Sequence, residues 1–133
     1  LRLPPFHPAP ESAMLFYDLF RHEPKLAPVQ AGDYLFREGE SGELMYVLIT
    51  GTAQILVGSK VVEEVEPGGI LGEMALIDRA PHSASVLATS DCEFACIDQK
   101  RFHFLISQTP YFATEVMRIM AHRLRHADQL LES

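Results

Sequence analysis

The chain has 133 residues, of which 47% are hydrophobic and 22% are charged, and its formal net charge is −7 at pH 7. This length and composition predict a single folded domain with its own hydrophobic core. The negative charge disfavours direct contact with nucleic acid or with an anionic membrane surface, because phosphate contact requires clustered Lys and Arg. The longest apolar run, Leu44–Ile49, is far too short to span a membrane, and the N-terminus lacks the apolar core of a secretory signal.

The chain contains two cysteines, Cys92 and Cys96. They are too few for a disulfide framework, and their even spacing in a strand-like segment places them on one face about 13 Å apart, beyond the reach of a disulfide. We therefore expect reduced thiols in the core of a cytoplasmic protein.

The N-terminal region divides into an arm and a helix. Four prolines among the first ten residues predict a flexible, extended arm over residues 1–11. Ser12 can cap a short helix from Ala13 to about Arg21, and Pro24 stops it. The folded domain is therefore expected over residues 12–133.

Short strands separated by glycine turns are predicted over residues 26–98, which favours a β-sandwich, a jelly roll or a β-roll. The run Leu44–Thr50 is largely apolar on both faces and predicts a buried strand, and Gly58-Ser59 fits a two-residue hairpin turn. The other predicted strands are Tyr34–Arg37, Thr52–Val57, Lys60–Val65, Ala84–Thr89 and Cys92–Asp98.

Two helices are predicted over residues 99–131. The first covers Gln99–Ser107, and Pro110 suits the first turn of the second, Tyr111–Leu131. One stripe of the second helix predicts core contacts: Phe112, Val116 and Ile119. A second stripe has a coiled-coil spacing: Met117, Met120, Leu124, Ala127 and Leu131. This seam covers only about two heptads, so a homodimer through the helix and simple packing against the strands both remain open.

Catalytic and metal-binding patterns are incomplete. The segment around Ser41, Gly-Glu-Ser-Gly, misses the nucleophile-elbow pattern by one residue and is better interpreted as a turn. His122 and His126 have metal-ligand spacing on a helix, but no third ligand is evident, and solvated positions explain them better. No phosphate-binding loop of the Gly-Lys-Ser/Thr type and no His-x-His pair is present. We therefore expect neither an enzyme nor a metal site.

The segment Gly69–Val86 carries the strongest functional pattern. Gly72 precedes Glu73 and a short apolar run, and a loop then leads through Pro81 into a strand-like tail. A glycine turn that starts a short helix exposes backbone N–H groups that attract anions. The alternative for Gly72 and Glu73 alone is an acidic residue that stabilises a helix start.

In its setting, this segment resembles the phosphate-binding cassette of the cyclic-nucleotide-binding domain family, which includes the bacterial catabolite activator and the regulatory subunit of protein kinase A. The resemblance extends from about Leu26 to Leu131. Besides the cassette Gly72–Val86 it includes Gly32, Arg37 to Glu40, Tyr46, Gly51, Cys92 to Phe94 and Lys100 to Phe102. The fold it implies is mainly β with flanking helices, namely a jelly-roll-like β-roll with a short N-terminal helix and two C-terminal helices.

The family resemblance also implies a ligand, cAMP or cGMP, and no metal. The binding residues it implies are Gly72, Glu73, Met74, Ala75, His82, Ser83 and Ala84. Glu73 would accept a hydrogen bond from the ribose 2′-hydroxyl, and Gly72 and Ala75 would admit the sugar-phosphate close to the backbone. Ser83 and Ala84 would offer N–H groups to the phosphate, which suits an anion.

One position departs from the family pattern, since His82 stands where the family has a phosphate-binding Arg. Histidine with a pKa of about 6.5 is mostly neutral at pH 7, whereas Arg is a permanent cation. Loss of a charge-assisted hydrogen bond costs about ten- to a hundredfold in affinity, so weak or absent binding and useful binding both remain open. Arg79, in the same loop, is a candidate for partial substitution.

The sequence thus predicts a non-catalytic sensor module that binds a cyclic nucleotide, weakly if His82 cannot replace the Arg. The alternative is the sensory and dimerisation half of a catabolite-activator-like transcription regulator, whose DNA-binding domain is absent from this chain. The base is left undecided, and so is the residue that covers it, with Met120, Arg123 and Leu124 as candidates.

Overall fold

The computed structural model describes residues 10–132 and, within them, the side chains of residues 12–129. This part of the chain forms four helices: α1 Pro10–Phe20, α2 Glu73–Asp78, α3 Gln99–Gln108 and α4 Pro110–Glu132. Its strands are β1 Ala27–Val29, β2 Tyr34–Phe36, β3 Met45–Thr50, β4 Ala53–Val57, β5 Lys60–Val65, β6 Ile70–Leu71, β7 Ser85–Ala88 and β8 Cys92–Ile97.

The strands form two four-stranded antiparallel sheets, with orders β1-β8-β3-β6 and β2-β7-β4-β5. The helices precede, interrupt and follow these strands. This is the predicted β-roll with a short N-terminal helix and C-terminal helices. The predicted hairpin turn at Gly58-Ser59 is confirmed, because Val57 pairs directly with Lys60 across it.

Strand β3 separates two hydrophobic clusters. Met45, Val47 and Ile49 face a cluster that includes residues of α1, α3 and α4, whereas Leu48 faces a second cluster inside the roll. All four side chains are at most 4% exposed. The predicted burial of this strand on both faces is therefore confirmed, and it explains why the segment is continuously apolar.

Helix α1 begins earlier than the sequence suggested. Its first residue is Pro10, a residue type that the first helical turn tolerates because its missing N–H has no partner there. Ser12 therefore lies inside the helix, 1% exposed, and is not its N-cap. Residues 1–9 of the predicted arm lie outside the described residues.

Strands β1 and β6 were not predicted. They have three and two residues, which is too short for a hydrophobic period to be recognised. Their positions depend on pairing partners distant in sequence, since Pro28 pairs with Glu93 and Ile70 pairs with Val47. Such long-range pairing is not visible in local propensity.

The C-terminal helices follow the prediction closely. The side chain of Asp98 caps α3 by accepting a hydrogen bond from the N–H of Arg101 at 2.8 Å. On α4, the predicted core residues Phe112, Val116 and Ile119 are at most 2% exposed. No helix among residues 10–132 is long and apolar enough to cross a membrane.

Candidate functional site

A cavity of about 770 Å³ lies between the roll, α2 and α4. All seven residues that the sequence indicated as a binding site line it: Gly72, Glu73, Met74, Ala75, His82, Ser83 and Ala84. Strands β4 and β5 supply Ile55, Val57, Lys60 and Val62, and α4 closes one side. The fold thus brings the predicted residues together in one concave site of a size that suits a small molecule.

Gly72 makes the turn that starts α2. Its backbone has φ 77° and ψ 9°, in the left-handed region that favours glycine. A side chain at this position would also collide with the chain, because a Cβ would lie 2.8 Å from the carbonyl oxygen of Leu44. The turn places Glu73 in the first residue of α2, where its carboxylate is 4% exposed and lines the cavity.

Arg123 on α4 connects that carboxylate to a second one. Its Nη1 donates to Oε1 of Glu73 at 2.7 Å, and its Nε and Nη2 donate to the two oxygens of Glu63 at 2.8 and 2.9 Å. Nη2 also donates to the carbonyl of Ile70 at 2.7 Å. The guanidinium therefore forms a bidentate pair with one carboxylate and a single bond with the other.

The burial of these three groups makes the ion pairs important. Glu63 is 2% exposed and Glu73 is 4% exposed. Burial alone disfavours the charged guanidinium, but Glu73 and Glu63 outweigh it and raise the pKa of Arg123 above its usual value. Charges buried in this way are tolerated only when each has a partner.

His82 lies flat against an aromatic ring at the floor of the cavity. It is 7% exposed, and its imidazole stacks on Phe36 with centroids 3.6 Å apart and planes 7° apart. Gly42 leaves room for the ring, because a Cβ there would collide with Nε2 of His82. The backbone is fixed by two hydrogen bonds, from the N–H of His82 to Glu40 at 2.9 Å and from the N–H of Gly39 to His82 at 2.8 Å.

The charge of His82 follows from this environment. Burial lowers the pKa of His82 below its ordinary value of 6.5, and the carboxylates of Glu40 and Glu73 oppose the shift without cancelling it. The imidazole is therefore neutral at pH 7, and the position that carries a permanent cation in the family pattern is uncharged here.

Arg79 does not substitute for the missing Arg. It ends α2 in a left-handed conformation with φ 57° and ψ 25°, and its Nη2 donates to Oε1 of Gln99 at 2.7 Å. Its side chain thus joins the end of α2 to the start of α3 and is not among the residues that line the cavity.

The backbone after His82 offers donors for an anion. Among the described residues, no hydrogen bond uses the N–H groups of Ser83 and Ala84. Both residues line the cavity. Ser85, the next residue, is committed elsewhere, since its Oγ accepts a hydrogen bond from the N–H of Glu38 at 2.8 Å.

The match to a known family decides the classification of the chain. Residues 27–109 match the family described as "Cyclic nucleotide-binding domain". The chain belongs to this family.

Individual relatives agree with that assignment. A cyclic AMP receptor protein of Thermus thermophilus is 31% identical over 97% of this chain and 61% of its own length. A cAMP-dependent protein kinase regulatory subunit of Hypocrea atroviridis is 38% identical over 62% of this chain and 17% of its own length. The crystal structure of the Thermus thermophilus catabolite activator protein superposes with a TM-score of 0.73 and 28% identity, covering 93% of this chain and 59% of that one. The chain thus spans less than two thirds of the length of each.

Several residues that line the cavity were not indicated by the sequence, among them Phe36, Lys60 and Glu63. A signal for Glu63 was available, because two adjacent glutamates in a strand, Glu63 and Glu64, cannot both face solvent. Phe36 and Lys60 carried no such signal, since an aromatic and a Lys at strand ends are ordinary. On α4, all three candidates for covering the base, Met120, Arg123 and Leu124, line the cavity.

The domain shows no arrangement for metal or thiol chemistry in its described part. Residues 10–132 contain no group of three or more His, Cys, Asp or Glu side chains that could hold a metal ion. Cys92 and Cys96 are both free thiols, and burial raises the pKa of each. Neither cysteine is therefore activated as a nucleophile.

Proposed function

We propose that this chain is a non-catalytic sensor domain that binds a cyclic nucleotide, cAMP or cGMP, in the cavity of the β-roll. The sequence predicts a domain over residues 12–133, with the roll at residues 26–98 and the C-terminal helices at residues 99–131, and because α1 begins at Pro10 we propose that the domain begins there. Binding is expected to be weak at neutral pH because the cassette presents a neutral imidazole at residue 82.

The observation that carries the proposal is the convergence of all seven cassette residues on one cavity, where they offer groups that suit both a phosphate and a ribose. The free N–H groups of Ser83 and Ala84 suit a phosphate, and the carboxylate of Glu73 suits a ribose hydroxyl. The rest of the cavity lining is largely apolar, as a purine ring requires.

Glu73 can serve the ligand and the protein at the same time. Arg123 donates to Oε1 of Glu73, and no hydrogen bond among the described residues uses Oε2. An ionised carboxylate accepts several hydrogen bonds, so Oε2 remains available to the ribose 2′-hydroxyl. A ligand bound there would also influence α4, because Arg123 joins that helix to the same carboxylate.

The link through Arg123 suggests how the sensor would transmit its signal. A nucleotide between the cassette and α4 contacts both, and it favours whichever helix position gives it more contacts. The nucleotide can shift the equilibrium between the two positions of α4 by no more than the difference in its binding free energy for them. The attached part of a longer protein would respond to that shift.

The proposal is tested by thermal-shift measurements and titration calorimetry with cAMP, cGMP and cyclic dinucleotides. A ligand present at a hundredfold excess over its dissociation constant stabilises the folded state by about 2.7 kcal/mol, so a clear rise in melting temperature is expected for cAMP or cGMP. The absence of any shift at millimolar concentrations would exclude the proposed function.

A thermodynamic cycle tests the role of Glu73. The 2′-deoxy form of the bound nucleotide should bind the wild type about ten- to a hundredfold more weakly, because the carboxylate loses a charge-assisted hydrogen bond. In Glu73→Gln this penalty should largely disappear, whereas the control Glu66→Gln, at an exposed residue, should retain it. Equal losses of affinity for the 2′-deoxy nucleotide in all three proteins would show that Glu73 does not bind the ribose hydroxyl.

The second candidate function is the sensory half of a transcription regulator related to the catabolite activator. It is favoured by the relative from Thermus thermophilus, which matches 97% of this chain, and by two exposed apolar residues on α4. Met117 is 60% exposed and Leu124 is 66% exposed. In this case α4 would form a homodimer, and the DNA-binding residues would belong to a further domain.

A further inference from the structure

The charged groups of the cavity do not favour an anionic ligand. Arg123 is committed to Glu63 and Glu73, so these three groups together carry a net charge of −1. Burial keeps His82 neutral at pH 7. A phosphate at Ser83 and Ala84 therefore requires a further cation, because Arg79, the cassette's arginine, does not line the cavity.

The pairing of the strands places one further cation on the same surface. Strand β7 pairs with β4 so that Ser85 lies opposite Leu56, and Ala84 therefore lies beside Val57 at the next position. Val57 pairs in turn with Lys60 on β5. Residues directly opposite one another project from the same face of a sheet, so Ala84, Val57 and Lys60 form one row that faces the cavity. All three residues line it.

The distance along this row suits a lysine side chain. Opposite Cα atoms in antiparallel strands lie about 4.5–5.5 Å apart, which puts the Cα of Lys60 about 10 Å from that of Ala84. The flexible four-carbon stem of lysine, followed by a hydrogen bond of about 3 Å, covers a distance of that order. Val57 is the only side chain between them in the row, and it is apolar.

Two observations show that Lys60 is both positioned and available. The hairpin that carries it is held by Glu38, whose Oε1 accepts a hydrogen bond from the N–H of Gly58 at 3.1 Å. No ion pair or side-chain hydrogen bond of Lys60 occurs among the described residues. Within the part of the chain that the structure describes, its ammonium group is therefore an unpaired cation, and Lys60 lines the cavity.

We propose that Lys60, on strand β5, supplies positive charge to the ligand phosphate and thereby offsets in part the lack of an arginine at residue 82. This inference rests on the proposed binding of a cyclic nucleotide. It assigns Lys60 to the phosphate and not to the base, because the row that contains Lys60 ends at Ala84.

The test is titration calorimetry of cAMP and cGMP at pH 8, where His82 is neutral, on the wild type, Lys60→Met and the control Lys25→Met. Lys60→Met should weaken the binding of both nucleotides by about ten- to a hundredfold, as expected for the loss of a charged hydrogen bond. Lys25→Met, at another exposed lysine, should bind like the wild type. Raising the salt concentration should weaken wild-type binding more than that of Lys60→Met.

Each other result has a distinct meaning. If the wild type binds and Lys60→Met binds equally well, this inference is wrong and the proposed function stands. If Lys60→Met loses affinity for one nucleotide only, Lys60 contacts the base and the inference is wrong. If the wild type binds neither nucleotide, the proposed function fails and this inference fails with it. Equal melting temperatures of the ligand-free proteins establish that the substitution leaves the fold intact.

Discussion

His82 is a residue whose charge is determined by its neighbours. The ring of Phe36 stacks on the imidazole, and the backbone of Gly42 lies against it. Burial therefore lowers the pKa of His82, despite the opposing carboxylates of Glu40 and Glu73. The unfolded chain, with a pKa of about 6.5, binds a proton more readily than the folded one. The ligand-free domain should consequently lose stability as the pH falls from about 7 through the folded-state pKa.

An anionic ligand should act on the same equilibrium in the opposite direction. A phosphate near the ring favours the imidazolium, so binding raises the pKa of His82 and nucleotide affinity should increase as the pH falls. If binding raises the pKa of His82 by about one unit, wild-type affinity should be about tenfold higher at pH 5.5 than at pH 8. Titration calorimetry at the two pH values provides the measurement.

Two substitutions at this position serve as controls. His82→Gln should bind weakly at both pH values because it cannot be protonated. His82→Arg should bind about ten- to a hundredfold more tightly than the wild type at pH 8 and show little pH dependence. Equal wild-type affinity at pH 5.5 and pH 8 would show that His82 does not interact with the phosphate.

Arg123 adds ion pairs between α4 and the roll to the hydrophobic contacts of that helix. It lies 50 residues from Glu73 and 60 residues from Glu63 along the chain. Both carboxylates are buried, so the removal of Arg123 would leave two uncompensated negative charges close together. A buried ion pair adds little net stability to the folded state, but the removal of one partner is strongly destabilising because the other charge stays buried and unpaired.

We expect Arg123→Met to destabilise the domain by about 3–5 kcal/mol, the usual cost of leaving a buried charge unpaired. The control Arg125→Met, at an exposed residue of the same helix, should change stability by less than about 0.5 kcal/mol. Urea unfolding followed by circular dichroism measures both.

The triple variant Arg123→Met, Glu63→Gln and Glu73→Gln should recover part of the lost stability, because it removes the unpaired charges. Similar stability of Arg123→Met and the wild type would contradict this role.

The contrast between these residues explains what the sequence could predict. Turn glycines, the alternating strands and the apolar face of α4 are local signals, and they predicted a mainly β domain, its hairpin at Gly58-Ser59 and its C-terminal helices. The choice of a β-roll and of the cassette residues came from the resemblance of Gly72–Val86 and its setting to a known family. The pairing of Arg123 with Glu63 and Glu73 depends on where α4 meets the roll, which no local pattern specifies. Phe36 likewise became identifiable as the surface under His82 only when β2 was seen beside the cassette.

Helix α4 has two faces with different roles in the molecule. One face holds Phe112, Val116 and Ile119 in the core. The adjacent side carries Arg123 to the cavity and leaves Met117 and Leu124 exposed. A second copy of α4 packed on that exposed stripe would lie close to the cavity, so dimerisation and nucleotide binding would be coupled and reciprocal.

We therefore predict a weak, concentration-dependent homodimer through α4, because a seam of about two heptads is short for a stable coiled coil. Met117→Glu should raise the dimer dissociation constant at least about tenfold, since it places a charge in an apolar seam. Phe104→Glu is a matched control, because Phe104 on α3 is 61% exposed and Met117 is 60% exposed. Sedimentation equilibrium over a range of concentrations, with and without cAMP, measures both effects.

A monomer at every concentration would exclude the dimer. A loss of the dimer in Phe104→Glu but not in Met117→Glu would place the interface elsewhere. A dissociation constant that decreases when nucleotide is added would show that α4 transmits the binding event across the dimer.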